Sequence, residues 1–327
     1  MGIQSFGSDE GHCRYQAMRD LFDIQRDLQD THAALAHMEL SLTKQNVEKF
    51  PSLMLTVSGL KTRQQILEAE FLKAANLRGQ DVCTYRLFPR EGNPTIDALT
   101  KALGSFQHLF TSVFSALKHG PIERLRTNVA LAEATSFRFG YTFPGSLGVA
   151  FTLPNDRLLP GMQSELDASM STIRQLSKTD SKEKIAKFAR ELGEAPIRAT
   201  YRWAENHVNS SLAANIGWRR EEEIRDEFTV QPIELEALKN TIDMSGAETV
   251  ETITVRGVLV AANTVRHTFH LITDEESDIR GKYNDAISED QTVELPKRYT
   301  AIIKKTTILQ YSSEYPDITY FLVKLSS

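Results

Sequence analysis

The sequence predicts an α+β chain with a long N-terminal helical hairpin, a β-α-β-β block running into a helical region, and a small C-terminal five-stranded β-barrel of the OB or SH3-like kind. Three observations carry this. A heptad-like apolar seam runs from Leu21 to Leu42, a wide aromatic helix face from Ile96 to Leu117 sits between alternating stretches, and five short β-rich runs close the chain after Gly246. The corresponding domains are 1–79, 80–246 and 247–327, a division that fits 327 residues with 41% hydrophobic and 25% charged side chains.

In chain order, Leu21, Ile24, Leu28, Leu35, Met38 and Leu42 recur at spacings of three and four, with Thr31 in the missing step. Phe50-Pro51 interrupts the pattern, because a proline disfavours helix at the residue before it. A second run with Leu60, Ile66, Leu67, Phe71, Ala74 and Leu77 ends at Gly79. Such a pair is either a hairpin packed on its own domain or a coiled-coil seam between subunits. Val82–Phe88 reads as a strand, and Asn93-Pro94 opens a helix that Gly120-Pro121 ends. Pro154 to Asp243 reads mainly as amphipathic helices, with Leu212–Trp218 as a short strand. The runs Thr252–Ala261, Thr268–Thr273, Ile279–Tyr283, Tyr299–Leu309 and Thr319–Leu325 are the barrel strands.

Phe137–Phe151 carries three glycines and a serine, the materials of a phosphate cradle or a nucleophile turn. Gly148, however, leads into Val-Ala-Phe, with no Lys-Ser/Thr pair and no helix, and Gly145-Ser146-Leu147-Gly148 lacks one residue of a nucleophile elbow. Period-two alternation on both arms around Pro144-Gly145 predicts a hairpin instead. One side is read as Phe137, Phe139, Tyr141 and Phe143, continued by Leu147, Val149, Phe151 and Leu153. The other is read as Arg138, Gly140 and Thr142, continued by Gly148, Ala150 and Thr152, and Gly140, Gly148 and Ala150 leave so little side chain that a neighbour can approach the backbone. Arg138, Gly140, Gly148 and Ala150 are the candidate partner-binding residues, unless a helix of the same chain covers them.

Other chemistry finds little support. The eight histidines form no His-Glu-x-x-His helix, and Cys13 and Cys83 form no zinc pattern, so no metal and no cofactor is expected. There is no dinucleotide fingerprint and no catalytic set. The acidic run Glu221–Glu227, flanked by arginines, reads as a solvated face. A net charge of −5 gives no general attraction for nucleic acid or acidic membranes. No apolar run is long enough to span a bilayer, and the cysteine usage fits a reducing cytoplasm.

OB barrels often bind single strands, so the barrel is read for that role as well. Residues 249–327 hold nine Lys/Arg against eleven Asp/Glu. Lys297, Arg298, Lys304 and Lys305, with Tyr299, Tyr311 and Tyr315 nearby, form the candidate nucleic-acid-binding surface. The segments Thr254–Val260, Thr268–Leu271, Ile279–Tyr283 and Tyr299–Ile303 resemble the terminal barrel of uncharacterised bacterial proteins, some found in phage-defence gene clusters. The resemblance covers about a quarter of the chain. It implies a bacterial accessory or defence component and transfers no catalytic residue. The expected function is therefore a non-enzymatic interaction or scaffold protein that binds itself through the N-terminal helices and another protein. A nucleic-acid-binding module, or an enzyme whose site assembles only in three dimensions, is the alternative.

Overall fold

In the computed structural model, the described residues are 19–44, 51–90, 92–143, 147–155, 164–220, 223–283, 293–313 and 317–326. Over these the chain forms α1 (Leu21–Lys44), α2 (Pro51–Leu77), β1 (Gln80–Pro89), α3 (Ile96–His119), α4 (Val129–Thr135), β2 (Arg138–Phe143) and β3 (Leu147–Pro154). Then follow α5 (Glu165–Ser177), α6 (Lys182–Leu192), α7 (Glu194–Asn209), β4 (Leu212–Arg220), β5 (Glu223–Val230) and α8 (Pro232–Asp243). The barrel strands are β6 (Gly246–Asn263), β7 (Thr268–Thr273), β8 (Asp278–Tyr283), β9 (Lys297–Gln310) and β10 (Asp317–Ser326). No described helix is long and apolar enough to cross a membrane.

Contacts divide the chain into two compact units. One comprises Met1–Asn93, Thr127–Ser171 and Leu212–Val230; the other comprises Pro94–Arg126, Thr172–Ser211 and Gln231–Ser327. The helical pair α1–α2 falls in the same unit as the sheet, and the first barrel strand begins at Gly246.

In the first unit an antiparallel sheet runs in the order β2-β3-β1-β4-β5. Ile24 and Leu28 of α1 and Leu67, Phe71, Leu72, Ala74 and Ala75 of α2 form one core with Val82, Tyr141, Phe143 and Ala150 of the sheet. Phe71 and Leu28 are fully buried, each worth about 1.5–3 kcal/mol by apolar burial. The seam residues Thr31 and Leu35 are buried too, so the chain itself occupies much of the stripe read as a subunit contact. His32 ties α1 to the sheet through Nδ1, 2.6 Å from the Thr142 carbonyl.

The hairpin forms as predicted, but its faces do not. The β2–β3 register shifts between Phe139 and Tyr141, pairing Tyr141 with Ala150 and Phe143 with Gly148. This bulge at Gly140 turns two aromatic side chains onto the face expected to be bare. Gly148 makes room for one of them, since a Cβ there would lie 2.1 Å from the Phe143 ring. Residues 144–146 of the turn lie outside the described residues.

Further differences are local. The cap of α3 is Thr95, whose side chain accepts from the Ala98 amide, two residues beyond Asn93, the cap the Asn93-Pro94 pair predicts. The short helix α4 carries no apolar period and escaped the pattern. Most of the charged run taken for a solvated face is strand β5, an edge that buries only Phe228 and Val230; charged side chains suit an edge strand because they discourage further pairing.

The second unit packs α3 on α7 and α7 on α8. Phe106 meets Trp203 with ring centroids 6.4 Å apart. Its barrel closes in the order β10-β8-β7-β6-β9. Numbered within the barrel this is 1-2-3-5-4 returning to 1, with the β8–β10 contact parallel, which is the OB and not the SH3-like arrangement. Leu259, Leu271, Ala301, Ile303 and Leu322 fill its interior.

Candidate functional site

Among the candidate partner-binding residues, three are core. Ala150 belongs to the cluster under α1 and α2, a Cβ on Gly140 would meet the Phe71 ring at 3.1 Å, and Gly148 is covered by Phe143. Only Arg138 is exposed. On this face α2 packs over Gly140 and Ala150, and the Phe143 ring covers Gly148.

The candidate nucleic-acid residues do not converge. Strand alternation sends Arg298 and Lys304 to one face of β9 and Lys297 and Lys305 to the other. Lys297 pairs with Glu294 at 2.9 Å, Arg298 with Asp274 at 3.2 Å and Lys305 with Glu251 at 3.6 Å. Tyr299 is buried in the barrel, its hydroxyl accepting from the Glu294 amide at 3.0 Å, and Tyr311 is also buried. Tyr315 lies outside the described residues.

The strongest buried polar assembly is a clasp at one end of the sheet. Arg220 donates to Asp81 through Nε at 2.9 Å and through a terminal nitrogen at 2.6 Å, and to Asp167 at 3.0 Å. Asn155 donates to Asp81 and the Trp218 indole to Asp167. Ser164 and Asp167 cap the start of α5 reciprocally, side chain to amide in each direction. Each carboxylate is held by several donors, so these acids are committed to joining β1, β4 and α5.

A different group of residues meets at a cleft of about 320 Å³ in the second unit, lined by His108, Arg124, Leu125, Ala195, Arg198, Ala199 and Arg202. On α7, Ala195, Arg198, Ala199 and Arg202 fall at i, i+3, i+4 and i+7, which is one helical face. The alanines keep the floor low and the arginines rise from it. Arg124 comes from the segment after α3, which is pinned to the α6–α7 joint. The Ile122 amide donates to the Leu192 carbonyl at 2.9 Å, and the Ile122 carbonyl accepts from Ala195 at 3.0 Å. Gly193 permits this approach. Its φ is +83°, and a Cβ would lie 2.2 Å from the Ile122 carbonyl oxygen.

Arg198 donates to Glu194 at 3.1 Å and to the Glu123 carbonyl. Arg124 makes no hydrogen bond or ion pair with any described residue. Partial desolvation and then the Arg202 charge hold His108 below the ordinary imidazole value, so it is neutral at pH 7. The α7 amino end adds its own positive potential. The cleft is thus lined by three guanidiniums, one of which, Arg198, is already paired with Glu194. Guanidinium forks suit oxyanions, which they bind through two parallel N–H bonds.

The local pattern of α7 is dominated by its apolar side, Ile197, Tyr201, Ala204 and Val208. The Ala/Arg stripe opposite was the one local signal. The chain matches no family model, no curated protein and no solved structure.

Proposed function

We propose that the protein is a non-enzymatic accessory protein that holds a partner by an anionic group seated in the α3–α7 cleft. The observation that carries this is the convergence of Arg124, Arg198 and Arg202 on one concavity of a chain whose net charge is −5. The three guanidiniums and the imidazole supply hydrogen-bond donors and field. That equipment is suited to retaining an anionic ligand. Self-association through the α1 stripe is not part of the proposal; Leu21, Ile24 and Leu28 of that stripe pack in a core with α2 and the sheet.

Calorimetric titration of the full chain with pyrophosphate, at low and at physiological salt, tests the reading. Saturable binding that weakens with salt is expected, with a loss of about tenfold or more in the Arg124→Ala/Arg202→Ala variant. Absence of binding at low salt, or unchanged binding in the variant, would overturn the site. Hydrolysis of pyrophosphate above the buffer rate would overturn the non-enzymatic half.

A further inference from the structure

We infer that the sheet of the first unit carries a second binding site, for a small zwitterion with a carboxylate and an ammonium group, of about the size of a free amino acid. Helix α2 walls one side of a cleft of about 220 Å³ lined by Glu68, Leu72, Val82, Thr84, Arg86, Tyr141, Phe143, Asn215, Arg219 and Glu227. The register places Tyr141, Ala150, Thr84, Gly217 and Glu227 in one row across the five strands. Arg86 and Asn215 lie in the row to one side, and Val82 and Arg219 in the row to the other. Gly217 leaves the middle of the floor empty, and any Cβ there would lie 2.5 Å from the Thr84 hydroxyl.

The four charges of this cleft are balanced in number yet form no ion pair with one another. Glu227 accepts from Asn215 at 3.3 Å, Glu68 accepts from Gln64 at 2.8 Å, and Arg86 sits 4.8 Å from the centre of the Phe143 ring. The Arg219 Nε is buried and has no hydrogen-bond partner among the described residues. A buried guanidinium N–H without an acceptor costs free energy, and a ligand carboxylate beside Arg219 would supply one. Glu227 and Glu68 then remain to receive an ammonium group, while Tyr141 and Phe143 offer an aromatic wall. An anion alone would leave both glutamates facing it, and a cation alone would face both arginines. A ligand carrying both charges answers all four.

The test uses calorimetry on the full chain with L-glutamate, L-lysine and L-phenylalanine, each also as its N-acetyl and its carboxamide form. At least one free amino acid is expected to bind saturably. Its two blocked forms should bind about tenfold more weakly or worse, the scale of one lost charge-assisted contact. Glu227→Gln, on an exposed strand position, should weaken the free amino acid while leaving pyrophosphate binding unchanged; Arg219→Gln should weaken it further. Three results would each overturn the inference: no binding of any free amino acid, equal binding of an N-acetyl form, or no effect of Glu227→Gln. The arginine cleft is in the other unit, so failure of either site is read separately.

Discussion

Replacing Asp81 with asparagine tests whether the Arg220 clasp holds the sheet together. Asp81 is fully buried and accepts three hydrogen bonds, two from Arg220 and one from Asn155. Asparagine keeps the shape but offers one acceptor oxygen and sets an amide NH₂ against donors. Arg220, whose side chain is only 13% exposed, loses its shorter ion pair and keeps Asp167 and Ser164. Breaking one member of a buried pair costs about 3–5 kcal/mol, and the surviving Asp167 contact places this case near the lower end, about 3 kcal/mol. Thermal unfolding followed by circular dichroism should show a fall of about 4 °C for a chain of this length. The companion variant Asp81→Leu/Arg220→Met removes both charges, and its loss should be smaller than the sum of the two single losses by about 1 kcal/mol or more. A loss within about 0.5 kcal/mol for Asp81→Asn would refute the reasoning, since that is how an exposed position behaves.

Two glycines should respond with opposite signs in urea unfolding. Gly148→Ala drives a methyl into the Phe143 ring and should cost about 1–3 kcal/mol, whereas Gly104→Ala, on an exposed helix position with nothing within 4 Å, should stabilise by about 0.5–1 kcal/mol. His32 is held below its ordinary value of 6.5, chiefly by burial and despite its Thr142 bond. As pH falls below about 6.5 the unfolded chain takes up a proton that the folded one resists, so stability should drop on the acid side. His32→Gln should flatten that part of the curve relative to wild type in pH-dependent unfolding; an unchanged slope would count against the assignment. Burial pushes the Cys83 thiol well up, so in a Cys13→Ser background a thiol reagent should leave the native chain unlabelled and react only on unfolding.

The elements most legible in the sequence were those whose pattern is local. All five barrel strands were readable because alternating apolar residues and polar turns repeat within short windows, as in Ile253, Val255 and Leu259. The helical pair was readable from its three- and four-residue spacing. Which face that pair covered was not, because Phe71 meets Gly140 across about 70 positions of chain. The bulge at Gly140 escaped because alternation continues through it in the letters while the backbone slips by one. β5 was hidden by charge, since an edge strand with two buried residues has almost no apolar period. The arginine cleft gathers His108, Arg124 and α7 across nearly a hundred positions, and only the Ala195–Arg202 stripe lies within one window.

The sheet order also has a consequence for synthesis. β1 lies at the centre of its sheet, yet one of its two neighbours is β4, and the sheet is complete only once Val230 has been made. Roughly 140 residues separate the end of β1 from that point, which at 5–20 residues per second is about 7–28 s of translation. The strands that cover Phe71 and Leu28 supply Val82, Tyr141, Phe143 and Ala150, and all of these have been made by Pro154, well before β4 and β5. The nascent chain can therefore seat its helical pair on a three-stranded β2-β3-β1 sheet, and it is the central strand β1 that keeps one edge unpaired until β4 arrives.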